Sequence, residues 1–354
     1  MIQIHQIHPT VSYGDAIGND MVEIQSVLRK LGYNSNIYAQ YIHPKIHGVK
    51  NYVEYKKVSS SENILIMHYS IGYGSDFFAF VKSLPDKKIL IYHNITPPEY
   101  YRDINSEYEY HIKIGREELR NVRNIVELAL GDSEFNRQEL VKLGFKNTGV
   151  LPIIIDLNKY GMNGNQKIIR KYDDSLVNIL FVGRFGPNKK IEDIIKCFHY
   201  YNKYINPNSR LFLVGSYDGM DKYYDKLKVL ANKLNLKNVC FTGHVSFEEL
   251  ISYYKLADIF ITMSEHEGFC VPLLESMYFK IPIIAYHSTA IPYTLGDTGI
   301  LVNNKDYEEI AELVNLLVED DELRRKIVKK QTERLNDFER SKIENILKGY
   351  ISCI

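Results

Sequence analysis

Two glutamates, Glu267 and Glu275, enclose the segment Gly268-Phe269-Cys270-Val271-Pro272-Leu273-Leu274. Pro272 suits the first turn of a helix, where a missing N–H leaves no bond unmade. The spacing therefore predicts a helix that starts beside it, with Glu267 just before and Glu275 about one turn inside. The unpaired N–H groups near Gly268, Phe269, Cys270 and Val271 would carry partial positive charge. This is an anion site with an acid on either side. A nucleotide-sugar diphosphate suits it, with phosphates on the N–H groups and sugar and ribose hydroxyls on the carboxylates. Neither glutamate is expected to hold the core. Taken alone, such a pair would as readily be a solvated loop residue and an exposed helix position.

The elements on either side decide between these readings. Ile259–Met263 and Pro282–Tyr286 are apolar runs of strand length, so the order is strand, charged loop, helix, strand. In an open parallel sheet that loop lies where ligands bind. Similar units recur along the chain. Met1–His8 alternates apolar and polar residues as a first strand, and Ile17, Met21, Ile24, Leu28 and Leu31 form a helical stripe after a Gly-bearing turn. The turn lacks G-x-G-x-x-G, so no dinucleotide fingerprint is present. Further strands are expected at Asn63–Ile71, Lys88–Ile95, Thr148–Ile155, Leu176–Phe185, Arg210–Ser216 and Val239–Gly243. His68 and His93 fall near the ends of two of them, although a lone histidine there is more often structural. After Pro187-Asn188 a helix is expected to begin with Lys189 and Lys190. The alternation in both halves predicts two parallel βαβ-type sheets.

A length of 354 residues suits two domains. Hydrophobic content of 45% and charged content of 25% are those of a globular protein. Zero formal charge gives no bulk electrostatic case for nucleic acid or an acidic membrane. The four cysteines are scattered without metal-like spacing, which fits a reducing cytoplasm. No apolar run approaches the roughly 18–20 residues that span a bilayer, and no leader pattern opens the chain. No D-x-D triplet occurs, and no metal or cofactor is expected.

The pattern S-x-x-E-G-F-x-x-P-x-x-E-x-M at 264–277, followed by Pro282, resembles the signature of the family 4 (group 1) glycosyltransferases. The resemblance implies the GT-B fold, two Rossmann-like parallel-sheet domains facing across a cleft. It divides the chain into an acceptor-side domain at 1–155, a linker at 156–175, a nucleotide-sugar domain at 176–335 and a C-terminal helix at 336–354 that returns to the first domain. It implies a retaining, metal-independent transfer of a hexose from a UDP- or GDP-linked donor to a glycan, glycolipid or other hydroxyl acceptor. Arg184, after Gly183, and Lys189 or its neighbour Lys190 would hold the diphosphate. Glu267 would bind donor-sugar hydroxyls, Glu275 the ribose, and His93 the transferred sugar. His244 and Val245 would border the base, and Tyr13, Gly14 and Asp15 would touch the acceptor or donor sugar. Ile154, Lys190 and Tyr293 stand where the family more often has Gly, Gly and Glu. A peripheral place at the inner membrane face is compatible with such an acceptor, and the oligomeric state is left open. Two rivals share the fold: a nucleotide-sugar 2-epimerase, which needs no acceptor, and a catalytically silent partner subunit.

Overall fold

The structure, a computed structural model, describes residues 2–12 and 14–354. The chain forms two units. The first comprises Met1–Glu99, Glu107–Asp156 and Phe338–Ile354; the second comprises Tyr100–Ser106 and Leu157–Asp337.

In the first unit the strands are β1 (Ile4–Val11), β2 (Ile37–Ile42), β3 (Val49–Asn51), β4 (Ile64–Tyr69), β5 (Lys87–Tyr92), β6 (Leu128–Gly131) and β7 (Thr148–Val150). They pair in parallel in the order β3-β2-β1-β4-β5-β6-β7. Strands β2 and β3 had no counterpart among the expected elements. The order reverses between β1 and β4, the place where an open α/β sheet leaves a crevice. Helix Ala16–Lys30 brings Ile24 and Leu28 onto the core of Ile4, Ile66, Ile91 and Leu130. The last helix, Arg340–Ser352, adds Ile343, Leu347 and Ile351 to the same core. Its Arg340 pairs with Glu23, and Tyr350 Oη receives the Val150 N–H at 3.1 Å.

The first strand is buried on both faces. His5, Gln6 and His8 are buried along with Ile4 and Ile7. Helices cover both faces of a parallel sheet, so even the polar half of an alternating strand is enclosed.

In the second unit β8 (Val177–Val182), β9 (Ser209–Val214), β10 (Val239–Gly243), β11 (Ile259–Thr262), β12 (Ile283–Tyr286) and β13 (Ile300–Val302) lie in the order β10-β9-β8-β11-β12-β13, all parallel. Here the reversal falls between β8 and β11. Close approach of the exits of β8 and β9 requires glycine at 215, because a side chain there would run into the Gly183 carbonyl.

The segment expected as a linker is part of this unit. It forms a short turn at Leu157–Gly161 and a helix at Gln166–Tyr172, and its Tyr160 is buried. Few of its residues are apolar, but Tyr160 packs on Phe247, Tyr172 packs on Phe212, and Asn165 N donates to Ser252 Oγ at 2.6 Å. Tyr100–Ser106, placed by sequence in the first half, also packs here, with Tyr101 Oη donating to Asn188 Oδ1 at 3.1 Å.

Gln331, fully buried on helix Asp321–Leu335, donates to Ile281 O at 2.8 Å and accepts from Ile283 N at 3.2 Å. Replacing Gln331 with Leu strands both backbone groups, each at a cost of about 1–3 kcal/mol. A lowered urea midpoint without a change in m-value is the expected outcome.

Candidate functional site

The charged loop leaves β11 at the reversal of the second sheet, beside the exit of β8. Two clamps hold it. From the β8 side, Glu265 N donates to Asn188 O at 2.8 Å and Asn188 Nδ2 donates to His266 O at 2.9 Å. From the β12 side, Ser288 Oγ donates to Ser264 O at 2.5 Å, and Thr289 Oγ1 accepts from Glu267 N at 2.9 Å. Glu267 is thereby fixed and almost wholly buried.

Its carboxylate meets Lys189, with Nζ 2.6 Å from Oε2. The expected helix start at Lys189 and Lys190 is corrected. Lys189 ends a short turn, Pro187–Lys189, Lys190 is left-handed (φ 51°), and the helix begins at Ile191. Two cations in a first turn oppose the helix dipole, whereas Glu192 and Asp193 in that position agree with it. The left-handed kink sends the two lysines to different carboxylates. Lys190 Nζ lies 3.3 Å from Glu265 Oε2 and 5.7 Å from the centre of the Tyr100 ring. Lys305 bridges Glu265 and Asp193 at 2.8 Å each. Burial works to raise the Asp193 and Glu265 pKa values, but Lys305, together with Tyr307 and Lys196 at Asp193 and Lys190 at Glu265, holds both below the usual carboxylate range.

Arg184, at the exit of β8, is exposed and donates to Asp218 O at 3.2 Å. Helix Val271–Tyr278 begins after left-handed Cys270 (φ 71°), carries Pro272 in its first turn and has no side-chain cap. Gly268 through Val271 thus lead from Glu267 into an uncapped helix start. Phe269 and Cys270 are buried, and Phe269 O accepts from Thr294 Oγ1 at 2.6 Å.

Glu275 differs from expectation. It is buried, its Oε1 accepts from Tyr160 Oη at 2.5 Å, and its Oε2 accepts from Tyr254 Oη. Burial raises its pKa, and the two hydroxyls offset part of the rise. This glutamate does help to hold the core, because its helix turns it inward onto two tyrosines. Only the lone pairs they leave remain for a ribose. Neither tyrosine carried a motif, and only their aromatic character marked them as burial-prone.

His244 is exposed and Val245 half-buried, both after edge strand β10, two strands away from β8. In the first unit, Tyr13 lies outside the described residues. Gly14 is left-handed (φ 73°), and Asp15 caps helix Ala16–Lys30 through Gly18 N at 3.4 Å. His93 follows β5 with its ring buried: Nε2 lies 2.9 Å from His68 Nδ1, and Nδ1 lies 3.3 Å from Asp132 Oδ2. Both ring nitrogens therefore face protein groups. Asp132, in the stretch Gly131-Asp132-Ser133, had not been singled out.

Solved structures share this architecture. Anabaena Alr3699/HepE in complex with UDP and glucose superposes with a TM-score of 0.79 at 15% identity over 100% of both chains. Sucrose-phosphate synthase of Thermosynechococcus elongatus gives 0.78 at 16% identity, covering 99% of this chain and 98% of that one. The fold is GT-B. The family model described as Glycosyl transferases group 1 matches residues 165–334, which form most of the second unit. The uncharacterized glycosyltransferase MJ1069 of Methanocaldococcus jannaschii is 30% identical over 187 residues, 51% of this chain and 47% of that protein. The capsular polysaccharide biosynthesis glycosyltransferase CapM of Staphylococcus aureus is 30% identical over 179 residues, 49% and 45% of the two chains. The chain thus spans about half the length of the curated relatives it matches. Among the described residues no helix is long and apolar enough to cross a membrane.

The Glu275 site generates a pH-dependent prediction. Folding raises the carboxyl pKa above its ordinary 4.5, so its favourable contribution is fully present below that value and is lost as pH rises through the folded value. Tyr254→Phe removes a donor to the ionised form. It should cost about 1.5–3 kcal/mol near pH 7, the range for hydrogen bonds to charged groups, and less at pH 4. Urea midpoints at the two pH values measure the difference, and equal losses would mean that Glu275 is neutral at both.

Proposed function

We propose that the protein is a retaining glycosyltransferase. It moves a hexose from a UDP- or GDP-linked donor to a hydroxyl of a glycan or glycolipid, without a metal ion. The observation that carries the reading is the Lys189–Glu267 pair at the reversal of the second sheet, between Arg184 and an uncapped helix start. Relatives named for capsule synthesis and O-antigen mannosyl transfer support the reaction class, and a neighbouring fold that binds UDP and glucose supports the donor class.

In this reading Arg184, Lys189 and the N–H groups around 268–271 hold the diphosphate. As the bond from the anomeric carbon to the phosphate oxygen breaks, charge grows on the departing group, and fixed cations stabilise it more than they stabilise the ground state. Lys189 is chosen over Lys190 because its partner is Glu267, the carboxylate assigned to the donor sugar, whereas Lys190 faces Glu265. Glu267 binds sugar hydroxyls and supports the positive charge that develops at the anomeric carbon. The acceptor oxygen bonds to that carbon on the face the phosphate leaves, and its proton passes to the phosphate. Glu275 contributes to the ribose through its remaining lone pairs, and His244 and Val245 border the base. Tyr13, Gly14 and Asp15 serve the acceptor side. His93 receives no ring-nitrogen contact, since Nε2 faces His68 and Nδ1 faces Asp132.

Two measurements test the scheme. A panel of nucleotide sugars should contain one that raises the melting temperature and is consumed only when an acceptor is added; consumption without acceptor would indicate an epimerase. With that donor, turnover should be unchanged by chelator. Glu267→Gln should lower kcat on the order of 10²-fold with a smaller change in KM, because the lost charge matters most as the bond breaks. Full kcat for this variant, or activity abolished by chelator and restored by magnesium, would overturn the assignment.

A further inference from the structure

The first unit encloses a polar chain that the proposed reaction does not use. Gln6 on β1, His68 on β4, His93 after β5 and Asp132 after β6 come together where the strand order reverses. Gln6 and His68 are fully buried, and Asp132 is nearly so. Water is remote from these groups, so each contact between them has to be matched donor to acceptor.

The matching can be worked out from one end. Gln6 Nε2 donates to Met21 O at 2.9 Å, which fixes the amide, since the flipped orientation would set two oxygens against each other. Gln6 Oε1 therefore faces His68 Nε2 at 2.9 Å, and that nitrogen carries the proton. A neutral His68 then presents a bare Nδ1 to His93 Nε2 at 2.9 Å, so His93 Nε2 is the donor. At the far side of the ring, Nδ1 makes no aligned hydrogen bond but lies 3.3 Å from Asp132 Oδ2. The other carboxylate oxygen accepts from Asn136 Nδ2. A bare nitrogen against a carboxylate is repulsive, and a proton on Nδ1 removes the repulsion.

We infer that His68 is a positioning residue that, together with Gln6 and Asp132, holds His93 as a doubly protonated imidazolium, a fixed buried cation in the first unit. Other groups acting on the cluster agree. Burial lowers the His93 pKa, but Asp132, then Asp20 and Asp15, raise it further and leave it above the ordinary value. Burial keeps His68 neutral, and it lowers His8 to about 4. Burial raises both carboxyls, Asp20 to about 7 and Asp132 above its ordinary value, which His93 and Asn136 partly offset; Asp132 is the counter-charge in contact with the ring, at 3.3 Å from Nδ1.

A metal ion is the competing occupant, because Asp20, His68 and His93 offer ligand atoms within 4.8 Å of one another. Two histidines on a tetrahedral zinc, with Zn–N of about 2.0–2.1 Å, hold their nitrogens about 3.3 Å apart. The observed 2.9 Å matches a shared proton better. The inference concerns charge state alone, so it stands or falls independently of the transfer reaction. It also makes His93 a fixed charge, unsuited to exchange protons with a substrate.

The test is long-range ¹H–¹⁵N correlation on protein labelled in histidine, at pH 7, with metal content measured on the same sample. The His93 signals, assigned by their loss in His93→Gln, should show both nitrogens protonated, with His68 as the Nε2–H tautomer. His68→Leu should convert His93 to a neutral ring. His68→Asn, whose amide oxygen can stand in for Nδ1 as acceptor, should restore the imidazolium. A merely structural His68 would not produce that split. Neutral His93 in the unmodified protein, an imidazolium retained in His68→Leu, or one equivalent of bound zinc or nickel would each overturn the inference. If His68→Leu does not fold, the spectrum of the unmodified protein still decides.

Discussion

In each unit two neighbouring parallel strands send their connections to opposite sides of the sheet, and the rest of the structure depends on that divergence. Helices bury both faces of a parallel sheet, so polar chemistry is driven to the strand ends. At the reversal no crossover passes over those ends, and a gap is left that loops can line. The exits of β8 and β11 bring Gly183-Arg184 and 264–268 to one such place. The exits of β1 and β4 do the same for Gly14-Asp15 and His68.

A loop at such a gap has to be rigid if its charges are to act in fixed positions. Backbone bonds to Asn188 and the Ser288 and Thr289 hydroxyls provide rigidity on both sides, and alternating charges around the loop offset the cost of burial. Asp193, Lys305, Glu265 and Lys190 form one chain of opposite signs, and Lys189 with Glu267 forms a separate pair. A single buried charge would cost several kcal/mol, whereas a paired one costs far less. Separation of the two lysines by the kink at Lys190 is what leaves Lys189 with Glu267.

Much of this could be read from the residues in advance. The loop–helix pattern around Glu267, strand Val239–Gly243 and the parallel alternation all follow from local periodicity and from Pro and Gly positions. Strand β3 escaped because it is three residues long at the sheet edge, and β2 escaped because Ile-Tyr-Ala-Gln-Tyr-Ile shows neither clean alternation nor a continuous aliphatic run. The turn at 187–190 escaped because a left-handed lysine has no local signature. The tyrosines on Glu275 and the Gln6–His68–His93–Asp132 chain are partnerships across 21 to 115 residues, or across neighbouring strands, and a single sequence carries no record of them.

The two glutamates of the motif show why spacing alone could not apportion their roles. Glu267 sits on a loop, where the clamps of its backbone orient the carboxylate towards Lys189. Glu275 sits on a helix whose inward face includes Leu273, Leu274 and Met277, so the same turn that brings it near the helix start also buries it. A buried carboxylate needs donors, and Tyr160 and Tyr254 supply them. Tyr160 belongs to the segment that had read as a linker, so the site reaches into chain that carries no motif of its own. The pattern around Glu267 and Glu275 therefore describes one carboxylate held on a loop against a lysine and one that ties its helix to the surrounding fold.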